Sequence, residues 1–169
     1  MIRVIAALMT TAALALAMAG CAMTGGAQVK ENMTVQEAKA RTQRMELDLA
    51  GQVPAEQVSS INQDSEGVLF PCGGDRAYQW TGQTKVVLVP GAAYDGRAVT
   101  SSIESNYKEN GDWSAALDET SDGEPRVHVV GQNNEGYLVA LSVDKTFVQI
   151  LSFSPCFILP EGMSPSAEY

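Results

Sequence analysis

The chain has few of the residues and motifs that most enzymes and metalloproteins use. It contains one histidine and three cysteines among 169 residues. The serine-nucleophile pattern G-x-S-x-G, the glycine-rich phosphate loops and the zinc motif H-E-x-x-H do not occur. C-x-x-C is also absent, which argues against thioredoxin chemistry and a zinc knuckle. We therefore expect no cofactor, no metal and no enzymatic activity.

Positive charge is scarce as well. The chain has 11 Lys and Arg residues and 20 Asp and Glu residues, which gives a net charge of −9. An acidic surface repels nucleic acid and anionic lipid head groups, so we expect no nucleic-acid partner. The same acidity favours solubility.

The first 20 residues have the parts of a secretory signal. Arg3 gives a basic start, Val4 to Met18 is an apolar run interrupted by two threonines, and small residues precede Cys21. Met18-Ala19-Gly20-Cys21 resembles the lipobox of bacterial lipoproteins, with Met where Leu is usual. We predict a lipoprotein signal peptide over 1–20, acylation of Cys21, and a lipid anchor on the extracytoplasmic face of the cell membrane. An ordinary signal peptide with a chance cysteine and a retained transmembrane helix are the alternatives.

Lipidation of Cys21 leaves Cys72 and Cys156. An exported domain meets an oxidising compartment, which favours a structural disulfide between these two over a metal site or a nucleophile. A loop of this length corresponds to about 4.5 kcal/mol of stabilisation in the chain-entropy model.

The remaining chain divides into a small, glycine-bearing flexible tether over 21–33 and one domain over 34–169. Thr34 and Glu37 form a capping-box pattern at the start of a helix, and Gly51 is suited to its end. A second helix is predicted over 96–110, and residues 160–169 resemble a frayed tail. Strands are predicted at 68–70, 76–80, 84–89, 113–117, 125–131, 136–143 and 146–153.

Short turns between the last four strands indicate antiparallel hairpins. The sequence therefore predicts an α+β domain with an antiparallel sheet of about five to seven strands, two helices and one disulfide. Residues 136–143 are apolar on both faces, which indicates a central strand with both sides at least partly covered.

Three features are candidates for chemistry. His128 alternates with apolar residues in a predicted strand, so we interpret it as a strand histidine and not a general base. Residues 118–124 imitate the start of a calcium-binding loop, but Val129 occupies the position that needs a bidentate Glu, and Asp122-Gly123 fits a hairpin tip better. Aromatic side chains could line a ligand cleft, although core positions are more usual: Tyr78, Trp80, Tyr94, Tyr107 and Trp113.

Several of these features together resemble a known group of proteins. They are the lipobox, the capped helix after a short tether, Leu69-Phe70-Pro71-Cys72-Gly73, and Ser154-Pro155-Cys156-Phe157 near the end. They are similar to the small cell-envelope lipoproteins of actinobacteria, of the LppA-like type. The resemblance implies the membrane address, an α+β domain and the Cys72–Cys156 pairing. It implies no catalytic residues.

These observations favour a membrane-anchored, non-enzymatic binding protein. Its partner would be another envelope protein or a small ligand, and the membrane would be contacted through the N-terminal lipid. A toxin-immunity or inhibitor lipoprotein is the first alternative. An envelope hydrolase, using His128 or two carboxylates, is the second.

Overall fold

The computed structural model describes residues 28–108 and 110–169. The predicted signal peptide and Cys21 lie outside these described residues. Within them, no helix has both the length and the apolar character that crossing a membrane requires. The elements in chain order are α1 (Val35–Ala50), a 3₁₀ turn (Ala55–Gln57), β1 (Val58–Gln63), β2 (Val68–Pro71), β3 (Ala77–Leu88), α2 (Gly96–Lys108), β4 (Trp113–Glu119), β5 (Pro125–Gly131), β6 (Gly136–Leu141), β7 (Phe147–Phe153) and β8 (Phe157–Ile158).

Helix α1 begins with the predicted capping box. The Glu37 backbone N–H donates to Thr34 Oγ1, and the Thr34 backbone N–H donates to Glu37 Oε2 at 2.8 Å. Both bonds satisfy donors that a helix start otherwise leaves free. The buried side chains of the helix include all five of the predicted face: Val35, Ala38, Thr42, Met45 and Leu49.

The strands form one antiparallel sheet in the order β1-β3-β7-β6-β5-β4. β2 and β8 pair with the first half of β3, so they continue the positions of β1 and β7 along its two sides. The α+β prediction is confirmed. The described sheet has eight strands and the sequence predicted seven. β1 and β8 were not predicted, and the two strands predicted at 76–80 and 84–89 are one strand, β3.

Strand β3 corrects one sequence prediction. Residues 81–83 were predicted to separate two strands, but β3 runs through them without interruption. Gly82 is needed for packing, since a Cβ built there would lie 2.2 Å from the Trp80 ring. A glycine inside a strand often marks such a close approach.

Both helices pack on the same face of the sheet. Helix α1 contacts β3 and β7, and α2 contacts β4, β5 and β6. The main core between the helices and this face contains Met45 and Leu49 from α1, Ile103 from α2, and Val127 and Ile150 from the sheet. We call this the helix face and its opposite the open face.

A second apolar cluster surrounds Trp80 at the end of the sheet where β2 and β8 lie. The final residues join it, so the prediction of a frayed tail is wrong. Gly67 and Tyr169 exchange two backbone hydrogen bonds of 2.9 and 3.0 Å, and Trp80 Nε1 donates to the Tyr169 carbonyl at 3.0 Å. The tail is fixed because it satisfies buried polar groups around Trp80.

Candidate binding surface

The open face of the sheet carries no helix or loop layer among the described residues. Strand register places alternate side chains of β3, β7, β6 and β5 there, including Leu151 opposite Leu138 and Gln149 opposite Ala140. We expected both sides of residues 136–143 to be at least partly covered, and the two sides differ in burial. Tyr137 and Val139 are buried under the helices, whereas Leu138 and Ala140 are only partly buried.

Apolar side chains cross this open face as a continuous band. Phe70 is 53 % exposed and packs edge-to-face on Phe153, with ring centroids 6.5 Å apart. Leu151, in the middle of the sheet, is 38 % exposed. We call the following residues the apolar stripe: Val68, Phe70, Val130, Leu138, Leu151 and Phe153. Isolated exposed apolar residues are ordinary, but a contiguous band on one face is typical of an interaction site.

An acidic depression of about 400 Å³ adjoins the stripe at the β2 end. Its rim carries the exposed carboxylates of Asp64, Glu66 and Glu168, and Leu151 forms part of its floor. Gln83 Nε2 donates to Asp64 Oδ2 at 2.8 Å, which fixes one of the three acids against the sheet.

A second depression of about 230 Å³ lies on the other side of Leu151. Leu138 and Leu151 contribute to its floor, and the turn at 120–122 forms a wall. An ion pair of 2.6 Å between Lys145 Nζ and Glu124 Oε1 connects the β4–β5 hairpin to the β6–β7 hairpin beside it. Leu151 lines both depressions, so they adjoin at this residue, and we call the two depressions together the trough.

His128 lies on the open face, in an ion-pair cluster near the β4 edge. Arg126 donates to both carboxylate oxygens of Asp118, with Nε–Oδ1 2.8 Å and Nη2–Oδ2 2.6 Å. His128 Nε2 is 3.1 Å from Asp118 Oδ2. The Arg126 hydrogen bonds lower the pKa of the Asp118 carboxyl to about 2, and His128 adds to this effect. The imidazole lines neither depression of the trough.

The structure brings together buried polar groups that sequence reasoning missed. Glu46 on α1 is fully buried and accepts hydrogen bonds from Ser152 Oγ, from Thr84 Oγ1 at 2.8 Å and from Gln63 Nε2 at 2.8 Å. Its position, four residues after Thr42 on the apolar face of the helix, was the available signal. With three donors filling its lone pairs, this carboxylate holds the helix to the sheet and is not accessible to a substrate.

A second buried carboxylate, Glu135, receives a bidentate contact from Arg41 of α1. The Nε–Oε2 and Nη2–Oε1 distances are 2.7 and 2.6 Å. The hydrogen bonds to Glu135 raise the pKa of Arg41. Burial raises the pKa of the neighbouring Tyr137 phenol, and the charge of Glu135 adds to that shift. The pair links α1 to the turn before β6.

Two of the three cysteines lie in the part of the chain that the structure describes. Cys72 and Cys156 form the predicted disulfide, with Cα atoms 6.0 Å apart, and Cys156 is fully buried. The bridge ties the end of β2 to the segment between β7 and β8. The two sulfurs are therefore structural. Cys21, the predicted lipidation site, lies outside the described residues.

The acidic run 118–124 covers the end of β4 and the β4–β5 turn, and the Asp122-Gly123 pair lies in the turn, as predicted. Gly123 has a φ of +83°, and the Thr120 backbone N–H donates to the Glu124 carbonyl at 2.9 Å. No cluster of three or more acidic, His or Cys side chains suited to a metal occurs in the described part of the chain. Val129, at the position where a calcium loop needs Glu, is buried on the helix face.

The candidate aromatics pack mainly in the interior. Trp80 is fully buried, and Trp113 lies edge-on to Tyr107 with ring centroids 5.8 Å apart. Tyr94 is the clearest exception, because it lines a separate depression of about 390 Å³ between the β3–α2 connection and the β6–β7 turn. None of the five lines the trough.

Comparisons with known proteins add no relative. No protein-family model, no curated protein and no solved structure matches the chain. Its similarity to actinobacterial envelope lipoproteins therefore stays a prediction from short motifs.

Proposed function

We propose that this protein is a lipid-anchored extracytoplasmic binding protein that holds a protein partner against the open face of its sheet. The observation that carries this proposal is the apolar stripe, which crosses a sheet face that no described element covers. Each square ångström of apolar surface removed from water contributes about 25 cal/mol. A partner that covers the stripe therefore gains binding free energy, because its contact removes apolar surface from water.

The chemistry of the described residues supports binding and not catalysis. Both cysteines of the domain are oxidised to a disulfide, and the two buried carboxylates, Glu46 and Glu135, are occupied by hydrogen-bond donors from the protein itself. His128 is held by Asp118 away from the trough. An envelope hydrolase would need an accessible base beside a cleft, and His128 was its best residue.

The anchor is a separate part of the same proposal. Lys30 already contacts the domain, since its backbone N–H donates to the Cys156 carbonyl at 2.7 Å. The nine-residue span from Cys21 to Lys30 reaches about 30 Å when fully extended. That length gives a lipid-anchored domain room to turn its open face toward a partner.

The anchor is tested by the Cys21→Ser variant. We expect the parent protein to fractionate with membranes and to carry acyl chains on Cys21 by mass spectrometry, and the variant to be released. A variant that stays in the membrane fraction would favour the retained-helix alternative. An unmodified Cys21 in a protein that is already soluble would contradict the anchor.

The binding role is tested by photo-crosslinking in the intact envelope. A photoreactive residue at Phe153 on the open face should give one defined adduct with another protein. The matched control is Leu47, which is 46 % exposed but lies on α1, across the sheet. The Phe153 adduct should disappear when Leu151→Asp is added. Equal adducts from both sites, or no adduct from Phe153 and Phe70, would contradict the proposal.

A toxin-immunity or inhibitor role is favoured by one further observation, the acidic rim of Asp64, Glu66 and Glu168. Such a rim suits a basic protein target. A gene for a basic exported toxin beside this one, together with loss of protection in a Leu151→Asp strain, would select this role over a resident envelope partner.

A further inference from the structure

We infer that the trough accepts an extended basic segment of the partner protein, with a cationic side chain at each end and an aliphatic residue between them. This inference rests on the proposed function and adds the chemistry of the partner. Its geometric basis is Leu151, which lines both depressions, so that one segment lying across β7 would contact both.

The charge at the β2 end of the trough is negative and is not neutralised within the domain. Asp64, Glu66 and Glu168 are exposed, and no lysine or arginine lines this depression. In the part of the chain that the structure describes, none of the three forms an ion pair. A cation placed in this depression would be attracted by these carboxylates and would displace no ion-pair partner.

The far end of the trough has one carboxylate beyond its internal ion pairs. Arg126 lines this depression, but both of its contacts go to Asp118. Lys145, on the adjacent hairpin, is paired with Glu124. Asp122 is the remaining carboxylate of the wall, and only the Thr120 hydroxyl donates to it among the described contacts.

The dimensions suit a short extended peptide. From Gln83 on β3 to Leu138 on β6 is two strand steps, because β7 lies between them. Strands are spaced about 4.8 Å apart, so the distance is roughly 10 Å, and an extended chain rises about 3.3 Å per residue. The floor between Gln83 and Leu138 therefore spans about three residues of an extended chain. A segment with an aliphatic side chain over Leu151 and Leu138 would place the cations on either side of it toward the two ends of the trough.

The same features disfavour other occupants. A second copy of the chain carries the same excess of acidic over basic residues. An anionic membrane surface would be repelled by the same groups. A basic peptide segment is complementary both to the carboxylates and to the apolar floor.

The test uses a synthetic pentapeptide, lysine–valine–leucine–valine–lysine with blocked ends, and the ¹⁵N-labelled purified protein. We expect amide shift changes confined to residues around Gln83, Leu151 and Asp122, and weaker binding when salt is raised from about 0.02 M to about 0.5 M. A glutamate-ended peptide of the same core should not bind. The peptide with serine in place of leucine should bind more weakly.

Two variants of equal net charge separate local from overall electrostatics. Glu66→Gln/Glu168→Gln removes two charges from the rim and should weaken peptide binding at least fivefold. Asp48→Asn/Glu56→Gln removes two charges from exposed sites outside the trough and should change binding less than twofold. Equal effects of the two variants, shifts outside the trough, or binding of the glutamate-ended peptide would overturn the inference.

The crosslinking experiment keeps this inference distinct from the function on which it rests. If Phe153 crosslinks a partner and the adduct is insensitive both to salt and to Glu66→Gln/Glu168→Gln, the binding role stands and the basic segment is wrong. If the adduct is a second copy of this chain, confirmed as a dimer by sedimentation, the inference also falls. Absence of any adduct removes both.

Discussion

Glu46 on α1 and Ser152 on β7 are 106 positions apart and meet inside the helix–sheet interface, where the Ser152 hydroxyl donates to the Glu46 carboxylate. Thr84 of β3 and Gln63 of β1 complete the cluster. One buried carboxylate thus connects the first helix to three strands. A buried charge is tolerated only with such compensation, so this cluster fixes where α1 sits.

Glu46→Ala should destabilise the domain by about 3 kcal/mol, because it leaves the two buried hydroxyls of Thr84 and Ser152 without their acceptor and opens a cavity. Urea unfolding monitored by circular dichroism measures the free energy of unfolding. Asp48→Ala, an exposed acid on the same helix, should change it by less than about 0.5 kcal/mol. Similar losses for the two variants would mean that the cluster contributes nothing specific.

Arg41→Met should lower the free energy of unfolding by about 2 kcal/mol, because it leaves the buried Glu135 carboxylate without its partner. The expected loss is below that of a fully buried pair, since the Arg41 side chain is 44 % exposed and partly screened by water. Arg41→Met/Glu135→Gln should recover at least half of the loss. A double variant as unstable as the single one would contradict this explanation.

Gly82→Ala should destabilise the domain by about 2 kcal/mol through overpacking against the Trp80 ring, where a Cβ would lie 2.2 Å from the nearest ring carbon. Gly136→Ala is the matched control, because a Cβ there has no heavy atom within 4 Å. Tryptophan fluorescence during urea unfolding follows both variants. A Gly82→Ala protein of parental stability would show that the ring shifts at little cost.

Asp118→Asn should make the stability of the domain less sensitive to pH on the acid side. The folded-state pKa of Asp118 is lowered to about 2, below the unfolded value of about 3.9. A depressed carboxyl pKa contributes stability above the unfolded value, and this contribution is lost as pH falls through the window between about 4 and 2. The urea midpoint of the parent should therefore fall more steeply than that of the variant in this window. Parallel profiles would contradict the assignment.

The periodicity of the sequence was sufficient for most of the secondary structure. The α1 face, the capping box, the second helix and the last three hairpins are all local patterns, and local patterns are set by neighbouring residues. β1 was missed because it is an edge strand whose middle is exposed on both sides, so no apolar alternation marks it. The break predicted at 81–83 is wrong, because Gly82 lies within β3 and leaves room for the Trp80 ring on the same strand.

The candidate surface could be predicted only in part. Leu138 and Leu151 are recognisable as apolar strand residues, but their sequence neighbours do not indicate whether a helix covers them. The acidic rim was harder to predict from the sequence, since Glu66 and Glu168 are brought together only when the final residues pair with Gly67. Contacts between residues so distant in sequence depend on the whole fold and leave no local pattern.

Spacing, composition and residue counts are enough to predict the α+β class, the pairing of Cys72 with Cys156 and the scarcity of catalytic residues. They do not predict that both helices cover the same face of the sheet, that an apolar stripe remains on the other face, or that carboxylates from separate segments border it. Alternation along a strand specifies two faces, but the packing of distant elements sets which of the two faces meets water.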